Sequence, residues 1–204
     1  MSRMPGSVLR RIAQQANSRP AVRDDSAPRC ELCADALDER HRHLLDTGSG
    51  AVSCACPSCG VLFDHGNGGG QRRLIRSRPR RLGDFVLDDL AWIALGVPVG
   101  LAFFVRDGAS GAVTAFYPNP IGTMRTDVDP ECWKTVTASN PPLSDMDDDV
   151  EALLIDRLRQ PAEYWLLPLD ECHRLTAVLR THWRGFGGGP EVWEHVDRFF
   201  ARLR

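Results

Sequence analysis

Two cysteine pairs carry the clearest chemistry in this chain: Cys30 and Cys33 in CELC, and Cys56 and Cys59 in CPSC, with 22 residues between the pairs. Each C-x2-C turn presents two sulfurs together with backbone N–H groups that can point at them. Two such turns supply the four soft ligands that a structural zinc ion takes in a tetrahedron. Pro57 presets the second turn, and Gly60, directly after the last cysteine, suits a positive φ. The spacing predicts that Cys30, Cys33, Cys56 and Cys59 bind one metal ion. Cys54 is a surplus sulfur on the approach to the second turn, read first as a small buried residue behind the site, with a substitute ligand or a redox-active thiol as alternatives. His41 and His43 flank the preceding strand and are spare ligands, but four well-spaced cysteines leave them no vacancy.

Other segments invite a chemical reading less strongly. Cys172 and His173 are adjacent in a helix and point about 100° apart, so they cannot form a thiolate pair with each other. Cys132, beside Trp133, reads as a packing residue. HWRGFGGGPE resembles a glycine loop entering a helix, yet it lacks the Lys-Ser/Thr of a phosphate loop and follows no strand. A tight helix-to-helix linker is the better reading, with His182, Trp183 and Arg184 as a small recognition candidate. The run RRLIRSRPRR, Arg72 to Arg81, holds six arginines in ten residues and no aromatic side chain to stack on bases. It is read as a solvated edge or a docking patch for an acidic surface ahead of a nucleic-acid contact. The acidic stretch DMDDDVE, Asp145 to Glu151, is a candidate for that surface within the same molecule.

Composition places these residues in an ordinary globular chain of 204 residues, 43% hydrophobic and 25% charged. The longest apolar run, Ala94 to Val105, is short and broken by Gly and Pro, so no membrane span is expected. The first twenty residues lack the apolar core of a secretory signal, and a cytoplasmic protein is expected. In that reducing compartment, seven clustered or unpaired cysteines suit metal binding better than disulfides. The net charge of −2 hides an asymmetry: residues 1–83 carry 14 arginines against 8 acidic residues, and residues 84–204 carry 11 basic against 19 acidic. The two halves can attract each other or face different partners.

Three regions are expected to position the cysteines. Residues 1–28 read as a flexible arm, with one short helix from Ser7 conceivable inside it. Residues 29–83 read as a small metal-binding β module: HRHLLD and AVSCAC as strands around the turn TGSG, VLFD as a third strand, a glycine-rich loop HGNGGG, and a further edge strand in the arginine run. Residues 84–204 read as an α+β domain. In it, DFVLDDLAWIALG forms a short helix burying Phe85, Leu87, Leu90, Trp92 and Leu95. VGLAFFVR and AVTAFYP form a hairpin, a helix spans Asp129 to Ala138, and VEALLIDRL and AEYWLLPL form a second hairpin. A helix from Asp170 to Trp183 and a last helix opened by Pro190 complete it. The order suggests two ββα units: a four-stranded antiparallel sheet covered by helices on one face.

The pairing of CELC with CPSCG resembles the two knuckles of zinc ribbons and of rubredoxins over about thirty residues. Rubredoxins hold one iron in four thiolates and carry an electron, so the resemblance implies iron as an alternative to zinc. Ala34 stands where the first knuckle would have a glycine, and aromatic residues are few between Cys33 and Cys59, both of which favour zinc. The order of CELC, HRHLLD, CACPSC, VGLAFFV, AFYPNP, HWRGFGGGPEVW and DRFFARLR resembles an uncharacterised actinobacterial family often encoded beside uptake [NiFe]-hydrogenase genes. That resemblance implies a non-catalytic accessory part beside a hydrogenase or its maturation factors, and it transfers no catalytic residue. The expectation is a non-enzymatic zinc protein acting through protein contacts, with an electron carrier and a nucleic-acid-binding ribbon as the rivals.

Overall fold

The computed structural model describes residues 28–64, 71–76, 78–119, 122–185 and 187–204. The expected arm with its helix, and the HGNGGG loop apart from its surroundings, lie outside the described residues. Among the described residues the chain is α+β, with a three-stranded and a six-stranded sheet, both antiparallel, and five α-helices.

The small sheet is made by alternation and by one tight loop. Strand β1 (Arg42–Asp46) pairs with β2 (Val52–Ala55) on one side and β3 (Arg72–Ile75) on the other. Leu44 from β1 and Leu74 from β3 meet Leu37, Ala55, Cys30 and Cys56 in a small core. The segment expected as a third strand, VLFD, forms no strand: residues 62–64 are a turn, and Val61 ends α1 (Pro57–Val61), a single turn of helix. Pro57 opens it, and Cys56 caps it with a sulfur that accepts the Cys59 N–H at 3.4 Å. Val61 and Leu62 are therefore left exposed.

The large sheet runs in the order β4-β9-β8-β5-β6-β7, formed by β4 (Arg80–Arg81), β5 (Leu101–Arg106), β6 (Val113–Asn119), β7 (Gly122–Asp127), β8 (Glu151–Asp156) and β9 (Glu163–Pro168). Both expected hairpins are present, and β5 pairs with β8 to join them. Two edge strands enlarge the expected four to six; one of them, β4, lies within residues 29–83 yet pairs with β9. Coverage also differs from expectation, because helices lie on both faces. Residues 101–104 of β5 and 152–156 of β8 are buried without alternation, and strands apolar on both sides need cover on both sides. On one face Phe103, Leu154 and Trp165 pack under α4 (Leu169–His182) and α5 (Gly189–Leu203), through Leu175, Leu179, Val196 and Phe200. On the other, Phe104, Leu153 and Leu166 meet α2 (Asp89–Ala94), α3 (Pro130–Ser139) and the 3-10 turn Pro141–Asp145, through Trp92, Trp133 and Leu143. Leu90, expected in the core, points outward on α2, while Trp92 and Leu95 are buried.

Three contacts tie the small sheet to the large one. Leu45 and Ile75 bury against the α4 and α5 layer. Arg73 pairs with Asp149 at 2.8 Å and donates to the Asp148 carbonyl at 2.7 Å, so one arginine of the basic run meets the acidic stretch of the same chain. His43 in β1 donates from Nδ1 to Asp170 Oδ2 in the first turn of α4 at 2.7 Å.

A single loop design closes the first hairpin of each sheet. In DTGSGA, Asp46 Oδ1 accepts the N–H groups of Gly48 and Ser49 and the Ser49 hydroxyl, and Gly50 takes φ of 72°. In DGASGA, Asp107 Oδ1 accepts from Ala109, Ser110 and the Ser110 hydroxyl, and Gly111 takes φ of 73°. Each aspartate replaces backbone acceptors the turn lacks, and each glycine takes the left-handed position.

Candidate metal centre

The small sheet places the two cysteine turns side by side. The first turn is stapled to β2 by two bonds: Glu31 N–H to the Cys54 carbonyl at 3.0 Å, and Cys54 N–H to Glu31 Oε1 at 2.8 Å. The second turn follows directly from the end of β2. Each turn closes with the same backbone bond, Ala34 N–H to Cys30 O at 2.7 Å and Gly60 N–H to Cys56 O at 2.9 Å. Their backbones then diverge. Ala34 takes the left-handed position, φ 61°, without the freedom of glycine. Gly60 stays within α1, contrary to the positive φ expected of it; its missing side chain matters because a Cβ would lie 2.5 Å from Arg42 Cδ.

All four expected ligands are brought together. The sulfurs of Cys30, Cys33, Cys56 and Cys59 lie within 4.8 Å of one another, and Cys33 Sγ is 3.7 Å from Cys56 Sγ. A tetrahedral zinc with bonds of about 2.3 Å separates its sulfurs by about 3.8 Å, so the cluster could hold a metal ion with little movement. Cys30 and Cys56, the first cysteine of each turn, are buried; Cys33 is exposed and Cys59 half-buried.

Thiol electrostatics reflect this crowding. The backbone N–H of Cys56 lowers the Cys30 thiol to about 6, against the effect of burial. At Cys33 the Asp35 N–H favours the thiolate, but the neighbouring sulfurs of Cys30, Cys56 and Cys59 together with burial push the thiol up. Cys59 is raised chiefly by Cys56. Sulfurs this close cannot all carry negative charge unless a cation shares the site.

Cys54 is neither a fifth member of this cluster nor a buried filler. It is half-exposed, stands opposite His43 in the β1–β2 register, and its sulfur lies 3.1 Å from His41 Nε2. His41, His43 and Cys54 form a second group whose donor atoms lie within 4.8 Å of one another. The sequence named all three residues but grouped them with the four cysteines.

The remaining candidates separate. Cys172 is fully buried, and burial drives its thiol well up, as suits a packing residue. Cys132 is half-buried on α3. Between α4 and α5 the glycines are closely packed: a Cβ on Gly188 would lie 2.8 Å from Val192 Cγ1. Trp183 and Trp193 brace them, donating to the carbonyls of Gly185 and Gly187. His182 stacks on His195 with ring centres 3.5 Å apart, near Glu191. The arginine run divides: Arg72 and Arg73 lie in the small sheet, Arg80 and Arg81 in the large one, and Arg73 and Arg76 pair with Asp149 and Asp64. A cleft of about 520 Å³ between the sheets and α4, lined by Leu45, Phe103, Val105, Phe116 and Arg180, left no local signal in the sequence.

No helix among the described residues is long and apolar enough to cross a membrane. A family model described as a family of unknown function, DUF5947, matches residues 29–204, and the chain belongs to that family. No curated protein and no solved structure matches the chain.

Proposed function

Taking the four-sulfur cluster of this DUF5947 member as the premise, we propose that the protein is a cytoplasmic, non-catalytic accessory protein. Cys30, Cys33, Cys56 and Cys59 hold one structural zinc ion in a ribbon-like module, and the protein works through protein contacts. The convergence of the four sulfurs carries this reading. Two of the six buried residues in the module's own core are cysteines, so burial alone supplies little of its stability. Bound zinc would neutralise the crowded thiolates and tie the two turns together, contributing folding free energy directly. Exposed Val61 and Leu62 on and after α1, with Leu32 in the first turn, give the module apolar side chains for a partner. The resemblance to proteins encoded beside uptake [NiFe]-hydrogenase genes points to that enzyme or its maturation factors as the partner.

One observation favours a second reading, a rubredoxin-like iron centre that passes electrons. Cys33 is exposed and Cys59 half-buried, which would bring two ligand sulfurs near a docked redox partner. A nucleic-acid contact has less support, because the arginine run is split between two sheets and partly paired. Metal analysis of the purified protein with a visible spectrum decides between the metals. One equivalent of zinc and no visible absorption is the expected result; a coloured ferric tetrathiolate would replace the structural reading with electron transfer.

A further inference from the structure

We propose that His41, His43 and Cys54 form a second metal site, distinct from the four-cysteine cluster, that takes a single borderline-soft divalent ion such as zinc. Three observations build it. One donor atom from each residue lies within 4.8 Å of the other two. The two histidines are then held in the same tautomer by separate oxygens: His41 Nδ1–H donates to the Asp38 carbonyl at 2.9 Å, and His43 Nδ1–H donates to Asp170 Oδ2 at 2.7 Å. Both acceptors lack a proton to give back, so in its neutral form each ring carries its hydrogen on Nδ1 and keeps a lone pair on Nε2. Imidazole with one nitrogen tied to a carboxylate or carbonyl and the other free is the arrangement of metal-bound histidine, where the outer oxygen fixes the ring and raises its basicity. Finally, His41 Nε2 faces Cys54 Sγ at 3.1 Å, which brings nitrogen and thiol donors to one point.

Ordinary packing explains these features less well. His43 reaches across to α4 rather than to its own sheet, and Cys54, directly opposite it in the register, is only partly buried at the edge of the small core and holds its sulfur 3.1 Å from His41 Nε2. Nitrogen and thiolate donors together select zinc and its borderline neighbours over magnesium or calcium. Three protein donors leave the fourth corner of a tetrahedron to a water molecule or to a donor from a partner, which the four-cysteine cluster does not. The two sites therefore differ in kind: one closed and able only to hold the fold, one open to an outside ligand.

Titration of the chelator-stripped protein with Co²⁺ tests the site. Two equivalents are expected to bind, the four-sulfur cluster giving the intense sulfur-to-cobalt absorption and the second site a weaker spectrum with one sulfur. Cys54→Ser, His41→Gln and His43→Gln should each bind one equivalent while keeping the intense band, which also shows that the variant has folded. Asp170→Asn leaves all three donors in place and should weaken the second equivalent by about 10–100-fold. Binding of only one equivalent by the wild type, or an unchanged second equivalent in all three donor variants, would overturn the proposal. Because the intense band reports on the cysteines and the second equivalent on the histidines, this proposal and the structural-zinc reading fail separately.

Discussion

The two sheets share antiparallel pairing and a hairpin loop, but they are held together differently. In the six-stranded sheet, β5 and β8 lie between two helical layers, and Phe104, Leu153, Leu154 and Ile155 have no exposed surface. In the three-stranded sheet one face leans on α4 and α5 through Leu45 and Ile75, while the other closes over Leu44, Leu74 and the cysteines. The larger sheet is stabilised by apolar area. The smaller one has a cluster of four sulfurs beside a small core, so antiparallel pairing of the same kind has little apolar burial behind it there.

The strongest way to break this comparison is to remove the metal. A chelator should abolish protection of residues 28–64 and 71–76 in hydrogen exchange while leaving β5 and β8 protected, because a structural zinc is worth on the order of 10 kcal/mol to a small module. Uniform loss across both sheets would show that they fold as one unit. Next in size, Phe104→Ala should cost about 3–5 kcal/mol in urea unfolding without changing metal stoichiometry, since Phe104 packs against Trp92 and Trp133 in the large sheet.

The shared loop offers a test at equal geometry. Gly50→Ala and Gly111→Ala meet no atom within 4 Å and differ from wild type only in the left-handed backbone, so each should cost about 1–2 kcal/mol. Equal losses would place both loops in one cooperative unit; a loss only for Gly111→Ala would mean that the metal holds the small hairpin regardless of its loop. In the opposite direction, Ala34→Gly should stabilise the metal-bound protein by about 0.5–1 kcal/mol, by relieving the left-handed strain while adding some unfolded-state freedom.

The smallest effect is pH dependence. Asp46 is held below the ordinary carboxylate range mainly by the Ser49 N–H and hydroxyl, and Asp107 mainly by the Ser110 hydroxyl and N–H. A folded pKa below the unfolded value of 3.8 means that the stabilisation is complete above that value and is lost as pH falls through the folded one. Melting curves should drop in that acidic window, and Asp46→Asn with Asp107→Asn should flatten the drop.

Most of the strand and helix pattern was legible because each element carried its own local signal. Val113–Asn119 follows a glycine turn, Pro130 and Pro190 open helices, and the cysteine spacing named four sulfurs that do converge. What was not legible depended on distant neighbours. VLFD has strand composition, but Pro57 and the sulfur cap of Cys56 start a helical turn just before it. Helices on both faces follow from β5 and β8 becoming central strands, which is settled by their pairing with each other. His43 gave no hint of Asp170, 127 positions away. The common D-x-x-S-G-A of the two hairpins was readable in the letters, but its meaning lies in the shared aspartate bonds.

The burial of Leu45 and Ile75 under α4 and α5 also has a consequence for synthesis. Both residues leave the ribosome roughly 95–145 residues before those helices begin, which at translation rates of about 5–20 residues per second leaves them bare for roughly 5–30 s. During that interval the four cysteines are already available, and an early-captured ion would hold the nascent hairpin in register before its cover arrives. Ribosome-stalled chains ending before α4 should then resist protease in the cysteine region when zinc is supplied and be cut there when it is withheld.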